Sequence, residues 1–401
     1  MQLRQLIYTN ILWRGINMFS VFVLNLLLSN VYGAANYGSL FYYVNALAFI
    51  VLLVGFSLDA SFTFYNAKPN TNTNQFTKLA IVWSVSGAVI ATLIVFFYNK
   101  IVNANFSIVN CFMYVTGMLL LTFFTSLFNA KHHYITQNLT IAVVNTGLAI
   151  SLIFLKDNFN AFTQLFFITV LLQGLAIAVG YIFRYVQKTP LQLVDKITVK
   201  ILLQYASIAF VGNVLFFLMY RVDYWFIDYF VKDKLMLGNY IQVSKVGQLF
   251  FIIPSIVAST VFAVTAEGKK ENMQHKVVQL SKLLFIGTLL LCIPLVFWGN
   301  RFFPFAFGES FIYMYQPFLL LLPGIVILSG LFPVTSFYSG KKRIVKNIYG
   351  LVISLVVLIV SDLLLIPTYS INGAALGCTL AYFVYGIYII FDFYKGIKKS
   401  L

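Results

Sequence analysis

The chain has 401 residues, of which 61% are hydrophobic and only 9% charged. Soluble domains carry roughly 25% charged residues, so this composition excludes a water-soluble protein built around an ordinary core. The formal net charge of +16 would suit a nucleic-acid partner, but its distribution along the chain speaks against one.

Apolar residues come in continuous runs of roughly 20, the length an α-helix needs to cross the ~30 Å hydrocarbon layer. Lipid cannot satisfy free backbone groups, which leaves helices or a closed barrel, and unbroken rather than alternating runs select helices. Twelve spans are predicted: 8–31, 38–64, 78–98, 108–129, 136–155 and 162–184, then 201–230, 238–265, 280–299, 312–338, 346–366 and 373–394. The expected fold class is an all-α polytopic membrane protein. An even count puts both termini on one side. With the N-terminus, the even-numbered loops and the C-terminus assigned to the cytoplasm, 19 of the 27 basic residues fall on that side and 5 in the opposite loops. The remaining three, Arg14, Arg221 and Lys245, lie inside spans. This is a positive-inside distribution, and it accounts for most of the net charge without an acidic partner. Arg14 also interrupts the first apolar run and "VYGAANYG" matches a cleavage site only loosely, so a removable signal peptide is the weaker reading of the N-terminus.

The longest soluble-looking connector, "QKTPLQLVDKITVK" (187–200), lies near the midpoint and predicts a seam between two six-helix halves, 1–190 and 191–401. The halves echo each other. "YGSLFYYVN" and "LGNYIQVSK" both open a span after an external loop, with Gly38 and Gly238 offset by 200. "NAKHH" and "SGKKR" both close a span with a small residue followed by basic or histidine residues, offset by 210. Two halves that rock about a central cavity are a common transporter plan.

Projected at 100° per residue, several spans carry a polar stripe. In span 1, Asn10, Arg14, Asn17, Asn25 and Tyr32 share an arc of roughly 80°. In span 7, Asn213, Tyr220, Arg221, Tyr224 and Asp228 share roughly 100°, and in span 2, Gly38, Asn45, Asp59 and Thr63 share roughly 60°. Span 8 places Gln242, Lys245, Gln248, Ser255 and Ser259 on one side. A charge at the bilayer centre costs at least ~2.5–3.5 kcal/mol, so such stripes face protein or water. By depth, Arg14 and Asp59 sit in the cytoplasmic half as prospective partners, whereas Arg221, Asp223, Lys245 and Asp362 sit in the outer half. Asp59, Asp223 and Asp228 read equally well as packing pairs. The three cations sit among Asn, Gln and Tyr over several turns, more than one ion pair requires. An Arg fork holds phosphate oxygens bidentately and Lys adds a compact charge, so the expected ligand is an anion with hydroxyl-rich groups.

No GxxxxGK[ST] loop, HExxH, GxSxG or metal-ligand cluster is present, and no cofactor is expected. Cys111, Cys292 and Cys378 read as core residues without a disulfide framework, and His132, His133 and His275 as solvated loop residues. "KKRIVK" (341–346) reads as a positive-inside loop that contacts anionic headgroups at most weakly.

Three segments resemble the lipid-linked oligosaccharide flippases of the O-antigen (Wzx) type, in the MOP superfamily that also holds the MATE exporters. They are "NVYGAANYGSLFYYVNALAFIVLLVGFSLDASF" (30–62), "RVDYWFIDYFVKDKLMLGNYIQVSKVGQLFFIIPSIVAST" (221–260) and "SFYSGKKRIVKNIYGLVISLVVLIVSDLLLIPTYSINGAALGCTLAYF" (336–383), about a third of the chain. The resemblance implies two pseudo-symmetric six-helix bundles around a central cavity. It also implies movement of an undecaprenyl-diphosphate-linked sugar repeat to the outer leaflet of a bacterial inner membrane for surface polysaccharide. On that reading Arg14, Arg221 and Lys245 hold the diphosphate, with Asn17, Asn25, Asn213, Tyr224, Gln242 and Gln248 lining the cavity and Asp59, Asp223 or Asp362 coupling an ion. The expected partners are the diphosphate-linked glycan, membrane lipids, a coupling ion (proton or sodium) and a glycan polymerase, with no nucleic acid. The alternative is a MATE-type small-molecule antiporter. Exporters of organic cations tend to carry a carboxylate on span 1, where this chain has Arg14. A membrane glycan ligase or polymerase is the third reading, disfavoured by external loops of only about a dozen residues.

Overall fold

The computed structural model describes residues 3–67, 73–102, 106–186, 196–267 and 273–398. These form thirteen α-helices: α1 (Leu3–Gly55), α2 (Leu58–Asn66), α3 (Thr73–Val102), α4 (Ile108–Ala130), α5 (Ile135–Leu155), α6 (Phe159–Tyr185), α7 (Lys196–Phe230), α8 (Lys234–Leu249), α9 (Ile252–Glu267), α10 (Met273–Phe307), α11 (Tyr315–Gly340), α12 (Ile344–Tyr369) and α13 (Ile371–Lys398). A 3-10 turn, Glu309–Met314, precedes α11.

Ten helices are long and apolar enough to cross a membrane, or eleven if the bent pair α8–α9 is one span. The twelfth predicted span is inside α1. Its 53 residues run on at about 1.5 Å each, far beyond one bilayer thickness. The expected break between spans 1 and 2 is one residue wide. Gly33, at φ 69 and ψ 173, reverses the hand of the backbone where a side chain would be strained. Span 2 then breaks again between α1 and α2, where Phe56 and Ser57 both have φ 51. That break frees backbone groups in the membrane, and Trp83 Nε1 donates to Val54 O at 2.8 Å beside it. Span 8 bends by 45° between α8 and α9. Pro254, in the first turn of α9, has no N–H to continue the ladder from α8.

The helices group into two compact units. Unit 1 takes residues up to Tyr32 and Tyr43–Val214, and unit 2 takes Gly33–Tyr42 and Leu215 onward. Residues 187–195 of the connector, which hold the seam expected at 190/191, lie outside the described residues. The first half of α7 stays in unit 1 because it packs on α2. Ser61 Oγ donates to Leu202 O at 2.7 Å, Phe56 stacks on Phe210 and Phe64 on Tyr205. The opening of span 2 joins unit 2 through a glycine pair. A Cβ at Gly238 would stand 1.9 Å from Ala34 O, and one at Gly38 would stand 2.5 Å from Lys234 O. Two backbones in such contact leave room for hydrogen alone, the small-residue crossing typical of membrane helices. Beside it Ser310 Oγ accepts from Ala34 N at 2.9 Å, and Asn239 Nδ2 donates to Ser310 O at 3.0 Å.

Unit 1 is organised around α4, packed by α2, α3 and α6, and unit 2 around α11, packed by α8, α9, α10, α12 and α13. These two central helices end in the same way, 210 residues apart. Lys131–His132 and Lys341–Lys342 each make a two-residue turn, with His132 at φ 54 and Lys342 at φ 59. His133 N then donates to Phe128 O at 3.1 Å, and Arg343 N to Tyr338 O at 2.8 Å. Both are the long closing bond of a left-handed helix stop. The repeated small-basic motif is thus a repeated structural cap.

Candidate functional site

The last ten residues of α7 carry charge on two of its faces. Asp223 is fully buried. Tyr240 of α8 donates its hydroxyl to one carboxylate oxygen, Cys378 Sγ of α13 donates to the same oxygen at 3.3 Å, and Tyr224 N donates to the other at 3.0 Å. Asp362 of α12 is also 0% exposed, yet neither of its oxygens has a hydrogen-bond partner among the described residues. It fits only because α13 presents a glycine, since a Cβ at Gly377 would stand 2.7 Å from Asp362 Oδ1. Cys378, next to Gly377 on α13, bonds Asp223, so the two carboxyls flank the same turn of α13. Two buried negative charges side by side are strongly disfavoured, so this pair suits at least one proton or one bound cation.

Arg221 and Lys245 are half-buried and make up the cationic face. Lys245 Nζ donates to Tyr37 Oη at 2.8 Å and lies over the Phe41 ring, both residues coming from the opening of span 2. The Arg221 guanidinium lies 5.4 Å from the Phe217 ring centre. Two like charges on one unit, held by hydroxyl and aromatic groups, suit an anion. Gln248 lines a small cavity with Tyr220, Ser244 and Tyr382.

The other predicted site residues are placed as follows. Arg14 is exposed on unit 1, and no ion pair joins it to Asp59 among the described residues, so that expected pairing is not made. Equal depth left the azimuth open: Asp59 sits in the first turn of α2, beyond the second break of span 2. Asn17 Nδ2 donates to Asn138 Oδ1 at 3.0 Å, Asn25 Nδ2 to Val21 O at 2.7 Å, and Asn213 Nδ2 to Ser57 Oγ at 3.0 Å. The Asn10 side chain lies outside the described residues. Tyr224 and Gln242 are each only 2% exposed and pack inside unit 2, whereas the stripe reading put them on a cavity wall. Asp228 leaves the stripe for Lys234, with which it forms an ion pair in the turn after α7. The sequence reading missed Tyr37, Tyr240 and Cys378. Tyr37 and Tyr240 sit in the two repeated Gly motifs, one residue before Gly38 and two after Gly238, while Cys378 gave no signal beyond its apolar run.

No family model and no curated protein sequence matches the chain. Solved structures do. A lipid II flippase, MurJ, in an inward closed conformation superposes with a TM-score of 0.74 at 12% identity, over 95% of this chain and 87% of that one. A point mutant of the Vibrio cholerae MATE transporter VcmN gives 0.70 at 12% identity, over 98% and 97%. A MOP superfamily transporter from Pyrococcus furiosus gives 0.63 at 11% identity, over 96% and 93%. The chain has the MATE/MOP-like transporter fold. At these identities the likeness establishes the fold alone.

Proposed function

We propose that this MOP-fold protein is a flippase for a diphosphate-linked oligosaccharide carried on a polyprenyl lipid, working by alternating access in a bacterial inner membrane for surface polysaccharide. The observation that carries the reading is that two cations of unit 2, Arg221 and Lys245, are half-buried, with Arg14 exposed on the first span and no carboxylate there. Arg14 first receives the diphosphate from the cytoplasmic side, and Arg221 and Lys245 receive it in the outer half. A guanidinium fork matches phosphate oxygens, and Asn17, Asn25, Asn213 and Gln248 offer amides to sugar hydroxyls. Tyr224 and Gln242 support this face from behind.

Asp223 and Asp362 are the proposed coupling pair. Their burial, with only one of the two hydrogen-bonded, supports exchange of a proton or sodium ion as the protein changes state. Asp59 is the weaker candidate, being partly exposed. The same acid pair would serve a MATE-type antiporter, so it does not separate the two readings; the cationic face does, because it repels an organic cation. The test is surface glycan in a strain that depends on this protein. Arg14→Ala and Arg221→Ala should each abolish or strongly reduce it at normal membrane abundance. Unchanged glycan in both variants, with altered drug susceptibility on deletion, would favour the antiporter.

A further inference from the structure

Unit 2 carries a second concave feature, lined by none of the residues of the acid pair or the cationic face. α10 and α13 each pack along α11, with little contact between them. The close crossings fall at glycines. A Cβ at Gly330 of α11 would stand 3.3 Å from Phe285 Cβ of α10, and one at Gly386 of α13 would stand 2.9 Å from Ile327 Cγ2 of α11. α11 is therefore a floor, with α10 and α13 as walls. The resulting groove encloses about 410 Å³, lined by Phe285, Ile286, Ile327, Leu331, Val334 and Phe393 among others. That volume is in the range of about 300–1,000 Å³ typical of ligand pockets.

The lining is apolar apart from Ser281 and Lys282 of α10 and Tyr394 of α13. Lys282 is exposed and has no ion pair among the described residues. By the charge distribution the N-terminal end of α10, nearer to Lys282, is cytoplasmic. Exposed Lys276, Lys341, Lys342, Arg343 and Lys395 belong to the same ends of α10, α11 and α13. The acid there, Asp392, is engaged by Lys346 and Tyr338. Tyr394, half exposed on the groove's rim, suits the headgroup level. An apolar slot that carries an unneutralised lysine near a basic surface is complementary to one kind of molecule: a lipid with a chain to bury and a phosphate to pair.

We propose that this groove binds one acyl chain of an anionic glycerophospholipid from the cytoplasmic leaflet, with its phosphate on Lys282. The cytoplasmic leaflet is the anionic one, and basic pockets between spans on that side select such headgroups. The bound lipid fills the gap between α10 and α13 and ties their basic ends together.

The test uses the full chain reconstituted in phosphatidylcholine vesicles doped with a photoactivatable-acyl phosphatidylglycerol, with the crosslinked peptides mapped by mass spectrometry. Phosphatidylglycerol should label α10, α11 and α13 around the groove. Lys282→Gln should lower that labelling about fivefold, the worth of one basic residue at an anionic surface. Ile286→Trp, which fills the slot from an exposed wall position, should abolish labelling of α11 and α13 while the protein remains monodisperse. Equal labelling by a photoactivatable phosphatidylcholine, or indifference to both variants, would overturn the proposal. Displacement of phosphatidylglycerol by stoichiometric polyprenyl diphosphate would also overturn it, by giving the groove to the carrier lipid instead.

Discussion

Gly238→Ala adds a single methyl at the tightest backbone contact in unit 2. Its Cβ would stand 1.9 Å from Ala34 O and 3.1 Å from Gly38 N, and carbon–oxygen contacts of side chains essentially never fall below 3.0 Å. The opening of span 2 must then retreat by more than an ångström. Overpacking of this kind costs about 1–3 kcal/mol. The retreat also stretches the Ser310–Ala34 hydrogen bond of 2.9 Å, whose loss leaves a buried N–H unsatisfied at about 1–3 kcal/mol more. The expected destabilisation is about 2–6 kcal/mol. At about 2–4 °C per kcal/mol for a unit of this size, the unfolding midpoint of the purified protein should fall by roughly 4–24 °C. Gly212→Ala, where nothing lies within 4 Å of the added carbon, is the control and should leave the midpoint unchanged. A Gly238→Ala protein as stable as that control would refute the assignment of 33–42 to unit 2 through this contact.

Asp362→Leu removes a buried carboxyl with no hydrogen-bond partner among the described residues, so its thermal midpoint should hold or rise while ion-driven transport is lost; a clear fall in the midpoint would show that the carboxyl is a structural anchor. Trp83→Phe deletes the donor to Val54 O at the break of span 2 and should destabilise unit 1 by about 1–3 kcal/mol in denaturant titration, where no change would mean that the break carries no orphaned carbonyl. His133, in the turn between α4 and α5, has its pKa lowered by burial and then by Arg184. Its folded value lies below the unfolded value of about 6.5, so the unfolded state takes up the proton first. Its contribution is fully present above that unfolded value and is lost as pH falls through the window beneath it. The slope of stability against pH in that window should flatten in His133→Gln, and an unchanged slope would exclude His133 as its source.

The span pattern was legible because lipid imposes one rule on every crossing segment: backbone groups must be satisfied within it. The Gly38–Gly238 and 129–133/339–343 matches were legible as repeats, and the structure gives them physical content, a backbone-to-backbone crossing and a shared helix stop. Merging of spans 1 and 2 into α1 was not legible, since one glycine at positive φ does what a loop usually does. Angular projection separated Asp223 from Arg221 but gave no sign that Asp228, two residues before the end of α7, is claimed by Lys234 of the next helix. Projection also gives no depth to a stripe, so it could not show that Tyr224 and Gln242 are each only 2% exposed. The partners of Asp223 come from α8 and α13, far away in sequence, and nothing in an apolar run marks Cys378 as a donor.

The central claim is that the cationic face of α7 and α8 recognises a diphosphate. Its most direct measurement is translocation of a fluorescent polyprenyl-diphosphate oligosaccharide by the full chain in proteoliposomes, read as protection from an external reductant. Arg221→Ala should abolish translocation, Arg221→Lys should restore it in part, and inorganic diphosphate in the lumen should inhibit the native protein. Undiminished translocation by an Arg221→Ala, Lys245→Ala double variant would contradict the claim.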